Sequence, residues 1–162
     1  MSVRIYVPAS VSMLRDVLVS GGIGPVPVVA HAVTDSLRAS HDGADEEELE
    51  YAALTAAAQD SVAMMGADDP PRRVVLVAEV GSASELPEGE PSLVEVGEVV
   101  PLATVVAVHA DSADAAADVA AARAGLDGED EAALALLDRC LEHELGWYAT
   151  QEAAALAEDA EG

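Results

Sequence analysis

Arg-Val-Val-Leu-Val-Ala-Glu-Val, residues 73–80, is the clearest strand pattern in the sequence. It is a run of β-branched and apolar residues that follows Pro70-Pro71 and ends at Gly81, as expected of a strand bounded by chain breakers. Four other short apolar segments have the same character. We therefore predict five strands, at residues 4–7, 26–33, 73–80, 93–100 and 104–110.

Helical signals lie between these strands. Apolar residues at helical spacing after the first strand predict a helix that stops at Gly21-Gly22. A long helix is predicted to begin at Asp45 and to end near Gly66, because Asp45 and Glu48 have the spacing of a capping box. Asp111 is predicted to cap a third helix.

The C-terminal segment, from about residue 129 to 157, predicts one helix with two apolar faces. One face consists of Leu134, Leu137, Leu141, Leu145 and Tyr148. The nearly opposite face consists of Leu136, Cys140, His143, Trp147 and Gln151. Three interpretations follow: the helix is sandwiched inside the fold, it bends at Gly146, or its second face contacts a partner.

The order of strands and helices predicts an α/β fold with a mixed, mostly parallel sheet of about five strands and helices packed on it. The alternative is a ferredoxin-like α+β fold with two layers. The length of 162 residues suits a single domain, which we place at residues 1–157, followed by an acidic disordered tail at residues 158–162.

The charge of the chain excludes some functions. Seven arginines and no lysine face 31 acidic residues, and the formal net charge of −24 opposes direct binding to the phosphates of nucleic acids. No apolar run approaches the length of about 20 residues that crosses a bilayer, so we expect no membrane partner. The start of the sequence has no secretion signal and Cys140 is a lone cysteine, which favours the cytoplasm.

Motifs for the common cofactors and nucleophiles are absent. The glycines of residues 21–25 follow a helix rather than a strand, so they do not form a phosphate-binding loop. A Walker motif is excluded because the chain has no lysine, and Trp147 replaces the second histidine that a zinc-protease motif starting at His143 needs. Cys140 is predicted to be buried and unreactive. We predict no cofactor and no metal.

The histidines provide the best candidate site. His109 and Asp111 lie at the end of a predicted strand, where open α/β sheets commonly bind ligands. Folding can bring them together with other imidazoles and carboxylates as an acid/base or metal site. The further candidates are His31, His143, Glu48 and Glu50. The alternative is that these histidines have structural roles only.

Four segments carry a resemblance to a known family, namely residues 4–9, 45–54, 106–109 and 143–152. They resemble segments of small acidic actinobacterial proteins that form a domain family of unknown function. The resemblance spans most of the chain and implies a single-domain cytoplasmic protein of high-GC bacteria. It implies no activity and no catalytic residues.

Three hypotheses of function follow. The leading one is a non-enzymatic interaction or regulatory domain that self-associates, because aromatic residues are favoured at interfaces. Its contact residues are Cys140, His143, Trp147 and Gln151. The second is a small-molecule-binding or hydrolytic protein that uses His109, Asp111, His143, Glu50 and Tyr51. The third is an acidic mimic of nucleic acid that occupies a basic protein.

Overall fold

A computed structural model describes residues 2–126 and 131–159. Within these ranges the strands are β1 (Val3–Ala9), β2 (Gly22–Ile23), β3 (Val28–His31), β4 (Val74–Val80), β5 (Ser84–Glu85), β6 (Leu93–Val96), β7 (Val100–Pro101), β8 (Val105–Ala110) and β9 (Gly146–Tyr148). The α-helices are α1 (Val11–Ser20), α2 (Asp35–Ser40), α3 (Glu46–Met64), α4 (Ala116–Ala124), α5 (Glu131–Cys140) and α6 (Ala153–Asp159).

Seven strands form one sheet in the order β5-β6-β3-β1-β4-β8-β9, and every neighbouring pair is antiparallel. The short strands β2 and β7 form a separate antiparallel pair. Each of the five predicted strands is present in the large sheet. The central strands are β1 and β4, in which Tyr6 lies opposite Val77.

The prediction of a mostly parallel sheet is wrong. Alternating strands and helices suggested right-handed parallel crossovers, but the chain returns from α1 into β3, antiparallel to β1. It then passes through α2 and α3 into β4, which is also antiparallel to β1. The apolar sequences of the central strands indicate that both faces of the sheet are buried. They do not indicate strand direction, because parallel and antiparallel strands can be buried in the same way.

Helices cover both faces of the sheet, so the two-layer ferredoxin-like alternative is wrong as well. On one face, α1 and α6 pack on β1 and β4 through Leu14, Leu156, Ile5 and Leu76. On the other face, α2 and α3 pack on β1, β4 and β8. The alanines of α3 have small side chains that let the helix lie close to the sheet, and its buried residues there are Leu49, Ala53, Ala57 and Ala58.

A third apolar cluster joins the end of α3 to α4 and α5. Val62 of α3 packs with Val119 and Ala122 of α4 and with Cys140 of α5. This cluster holds α4 and α5 beside the sheet rather than on it. It also places the segment after Cys140 next to the edge of β8.

The predicted helix from about residue 129 to 157 is wrong. The structure has α5, β9, a 3₁₀ turn at Thr150–Glu152 and α6 in this region, while residues 129 and 130 lie outside the described residues. The reason is tertiary: β9 completes the hydrogen bonding of β8, with Trp147 opposite His109. Gly146 favours the break because glycine is a poor helix former.

Two predicted helix ends are confirmed and one cap is wrong. The Asp45 carboxylate accepts a hydrogen bond from the backbone N–H of Glu48 at 2.9 Å, and α3 begins immediately after it. Gly21 ends α1 with a φ of 84°, a left-handed conformation that favours glycine. Asp111 does not cap a helix, because its carboxylate binds Arg73.

The predicted acidic tail overlaps the last helix. Helix α6 continues through Asp159, so the first two residues of the predicted tail are helical. Residues 160–162, the remainder of that tail, lie outside the described residues.

Candidate ligand-binding groove

A groove opens beside α3 on the face of the sheet that this helix covers. Helix α3 packs on β1, β3 and β4, and the groove lies between its flank and the outer strands β8 and β9. Its volume is about 460 Å³. It is lined by Arg4, Tyr6, Glu47, Glu50, Tyr51, Leu54, Val77, Val106, Ala107, His109 and Trp147.

A smaller cavity of about 240 Å³ continues the groove towards the end of α5. Tyr51, Leu54 and His109 line both cavities, so the two spaces adjoin at these residues. The smaller cavity adds Arg73, Leu141, His143, Glu144 and Leu145 among others. We call the two cavities together the α3 groove.

The α3 groove contains three of the four aromatic residues of the chain, namely Tyr6, Tyr51 and Trp147. Tyr6 is buried, whereas Tyr51 is 55% exposed and Trp147 is 63% exposed. Successive side chains of a strand point to opposite faces, so Trp147 lies on the α3 side while Tyr148 packs against the core on the other side. In a chain without phenylalanine, this concentration of aromatic rings is a distinctive feature of the groove.

His109 lies where the two cavities meet. Its Nδ1 atom is buried and has no hydrogen-bond partner, and among the described residues it is the sole buried side-chain nitrogen or oxygen in this state. Burial lowers the pKa of His109 below the ordinary value of histidine, so the ring is neutral at physiological pH. A neutral imidazole has one N–H donor and one bare nitrogen acceptor.

The charges of the groove are mostly negative. The carboxylates of Glu47, Glu50 and Glu144 line it, and none of them lies within ion-pair or hydrogen-bond distance of another described side chain. The charge of Glu50 nevertheless helps to raise the pKa of Arg4. Arg4 donates a hydrogen bond to Glu79 at 3.1 Å. Burial raises the pKa of the Tyr6 phenol, the charge of Glu50 adds to this increase, and Arg4 opposes it.

The structure brings some of the predicted site residues together. Glu50, Tyr51 and His109 line the larger cavity, and His143 lines the smaller one with Tyr51 and His109. The Nε2 atom of His143 lies 2.8 Å from Asp118, so the side chain of His143 already has a partner in α4. Glu48, the other predicted carboxylate of this helix, lines neither cavity.

Asp111 lies outside the groove. Its side chain is fully buried and bonds to the Arg73 guanidinium in a two-point contact, at 2.9 Å to Nε and 2.8 Å to the terminal nitrogen. The carboxylate also accepts the backbone N–H of Arg73 at 2.8 Å. Asp111 therefore fixes the start of β4 and is not placed to act on a ligand.

The four predicted contact residues lie on different elements rather than on one helix face. Cys140 is buried at the end of α5, and burial raises the pKa of its thiol. His143 follows in the turn, Trp147 lies in β9 and Gln151 in the 3₁₀ turn. The continuous helical surface on which this hypothesis was based is absent from the described part of the chain.

His31 belongs to a separate hydrogen-bond chain. Its Nδ1 lies 2.7 Å from the Ser92 hydroxyl and its Nε2 lies 2.6 Å from the Asp60 carboxylate. The residue types are those of a hydrolase triad, but the Ser92 hydroxyl is buried and the exposed end is the carboxylate. A buried serine cannot attack a substrate. These hydrogen bonds therefore have a structural role, in which they join β3 to α3 and to the loop before β6. Among the described residues, no group of three or more side chains can hold a metal ion.

The comparison with known families covers nearly the whole chain, since one family profile matches residues 3–157. The chain belongs to DUF6912, a family of unknown function. The resemblance to a domain family of unknown function is thereby confirmed. No curated protein and no solved structure matches this DUF6912 chain. Within its described residues, no helix combines the length and the apolar character needed to cross a membrane.

The sequence of this DUF6912 chain does not indicate the groove as a unit. Tyr6 and Trp147 were interpreted as a strand residue and a helix residue, and nothing local places them on the same face of one sheet. A usable signal was the scarcity of aromatic residues, because rings that are few and not in the core are often placed for contact. Nothing in the sequence indicates that the Nδ1 atom of His109 lacks a hydrogen-bond partner.

Proposed function

We propose that this protein is a non-enzymatic, small-molecule-binding regulatory domain whose ligand occupies the α3 groove. The observation that carries the proposal is the buried, unpartnered Nδ1 of His109 in a wall that also contains Tyr51 and Trp147. Buried polar atoms in folded proteins are nearly always hydrogen-bonded, and exceptions tend to have a functional reason. A ligand that reorients the His109 ring, or that brings a water molecule next to it, would give the Nδ1 atom a hydrogen-bond partner.

The size and lining of the groove support the proposal. Ligand sites commonly have volumes of about 300–1,000 Å³ and mostly apolar walls with a few polar groups. The larger cavity alone, at about 460 Å³, falls within this range, and its walls combine Tyr51, Leu54 and Val106 with Glu50 and His109.

Binding is favoured over catalysis because His109 lacks the groups that would make it a general base. In catalytic constellations a carboxylate orients the histidine, and a nucleophile lies within hydrogen-bond reach. His109 has neither partner among the described residues, and Asp111 is committed to Arg73.

We also retain the cytoplasm as the proposed compartment, since Cys140 is a free, buried thiol.

The test uses Trp147, which is the single tryptophan of the chain and a fluorescent reporter inside the groove. A library of small metabolites is titrated while tryptophan emission is measured, and hits are verified by calorimetry. We expect hits whose affinity falls about tenfold or more in His109→Ala and in Tyr51→Ala, which corresponds to about 1.4 kcal/mol of lost binding free energy.

The matched control is His41→Ala, which removes the imidazole of an exposed residue at the C-terminal end of α2, outside the groove lining, and should leave affinity unchanged. Hits that bind all variants equally would place the ligand elsewhere. A library without any hit that changes Trp147 emission would also reject the proposal.

Self-association is a second candidate, because the rim of the groove is unusually apolar. Tyr51, Val106, Leu141 and Trp147 are each more than 40% exposed there, and β9 is an edge strand of the sheet. Large exposed apolar patches and open strand edges commonly mark contact surfaces. Light scattering should then show an oligomer for the native chain and a monomer for Trp147→Ala, whereas a native monomer at high concentration would exclude this candidate.

A further inference from the structure

We infer that the ligand of the α3 groove is an organic cation, an amine or quaternary ammonium group attached to an apolar body. This inference rests on the proposed function and specifies the chemistry of the ligand. It depends on three features of the groove: three carboxylates without a close ion-pair partner, exposed aromatic rings, and a lining in which the exposed cation Arg4 already faces Glu79 and Glu50 among the described residues.

The carboxylates give the groove a negative potential. Glu47 and Glu50 are one turn apart on α3 and line the larger cavity, while Glu144 lines the smaller one. Side chains one turn apart on a helix lie on the same face, so the first two carboxylates are neighbours. Neither carboxylate lies within ion-pair distance of a basic side chain among the described residues. Glu50 attracts the charge of Arg4 from further away, and a bound ammonium group would supply a closer partner.

The aromatic rings suit the same ligand. A cation above the face of a tryptophan or tyrosine ring is attracted by the negative potential of the ring, and quaternary ammonium ligands are commonly recognised in this way. Tyr51 and Trp147 line opposite walls of the groove, one on α3 and one on β9, and both are more than half exposed.

Anionic ligands are disfavoured because the arginines of the groove are already paired. Arg4 binds Glu79, and Arg73 is buried against Asp111 and the carbonyl of His143. The chain has no lysine. His109 does not supply a positive charge, since burial keeps its imidazole neutral. A phosphate or carboxylate ligand would therefore meet three carboxylates, while the charge of the exposed Arg4 is shared between Glu79 and Glu50.

The net charge of the whole chain also favours a cationic ligand. The formal net charge of −24 attracts cations from solution, and such attraction raises association rates in a manner that salt weakens. Neutral His109 can still accept or donate one hydrogen bond, so an ammonium N–H or a hydroxyl of the ligand can contact it.

The experiment compares three probes of similar shape and different charge: phenethylamine, 2-phenylethanol and phenylacetate. Binding is measured by calorimetry and by quenching of Trp147 emission at low salt. We expect the amine to bind about tenfold more tightly than the alcohol, and the acid to bind more weakly than either, as cation–π and carboxylate contacts together predict.

The Glu50→Gln variant should weaken phenethylamine severalfold and leave 2-phenylethanol unchanged. The charge-matched control is Glu88→Gln, which removes an exposed carboxylate from the loop between β5 and β6 and should leave both affinities unchanged. An equal effect of the two variants would assign the preference to net charge and would overturn the inference of a local cation site.

The failure of this inference differs from the failure of the proposed function. If the alcohol or the acid binds as tightly as the amine and still requires Tyr51 and His109, the groove binds ligands but the cation inference is wrong. If none of the three probes binds, the cation inference is rejected, and the metabolite library decides on the function independently.

Discussion

Asp111→Asn is expected to lower the free energy of unfolding by about 3–5 kcal/mol, the usual cost of removing one partner from a buried ion pair. The Arg73 side chain is only 3% exposed, so its guanidinium would lose its counter-charge where it has little contact with water. Asparagine can replace part of the hydrogen bonding but none of the charge. Urea unfolding followed by circular dichroism measures the change.

Two further variants test whether the loss of stability comes from the uncompensated charge of Arg73. Glu79→Gln breaks the exposed pair with Arg4, and since surface pairs contribute about 0–1 kcal/mol, it should have little effect. Adding Arg73→Met to Asp111→Asn removes the uncompensated charge and should recover part of the stability. A loss below about 1 kcal/mol in Asp111→Asn alone would show that water reaches the guanidinium after all.

Ser61→Ala is expected to lower the free energy of unfolding by about 2–4 kcal/mol, because two buried backbone groups would lose their partner. The Ser61 hydroxyl is fully buried near the end of α3. It donates to the carbonyl of Ala9 at 2.6 Å and accepts from the backbone N–H of Val74 at 3.0 Å. One side chain thus ties α3 to the end of β1 and the start of β4.

The matched control for Ser61→Ala is Ser40→Ala in the exposed part of α2. Its hydroxyl bonds to the carbonyl of Ser36, which water can satisfy equally well, so a change within about 0.5 kcal/mol is expected. Urea unfolding of both variants provides the comparison. Similar stabilities of the two variants would contradict the view that Ser61 links the helix to the sheet.

The two buried groups illustrate what sequence reasoning can and cannot reach. Ser61 and Asp111 are ordinary residue types, and Asp111 even stands where a helix cap is expected. Their roles depend on Val74 and Arg73, which are 13 and 38 positions away in the chain. A local pattern cannot identify such partners, because it contains no information on which segments meet.

The groove shows the same division. Glu50, Tyr51 and His109 were singled out from the sequence and line one cavity, whereas Asp111 and His31 belong to separate buried networks. The periodicity of residues 134–151 predicted a helix from about residue 129 to 157, but residues 146–148 pair with β8 as a strand. Part of the proposed site was therefore predictable from the sequence, whereas its remaining residues and its shape were not.

Local signals were enough to predict where the long helix starts, where the first helix ends and which five segments are strands. Capping, glycine conformation and apolar runs act over a few residues, so each is encoded locally. The packing of distant segments established that the sheet is antiparallel, that helices cover both of its faces and that three aromatic side chains line the groove beside α3. These features depend on contacts between distant segments. Several arrangements of the same segments would bury similar amounts of apolar surface, so local sequence patterns cannot distinguish between them.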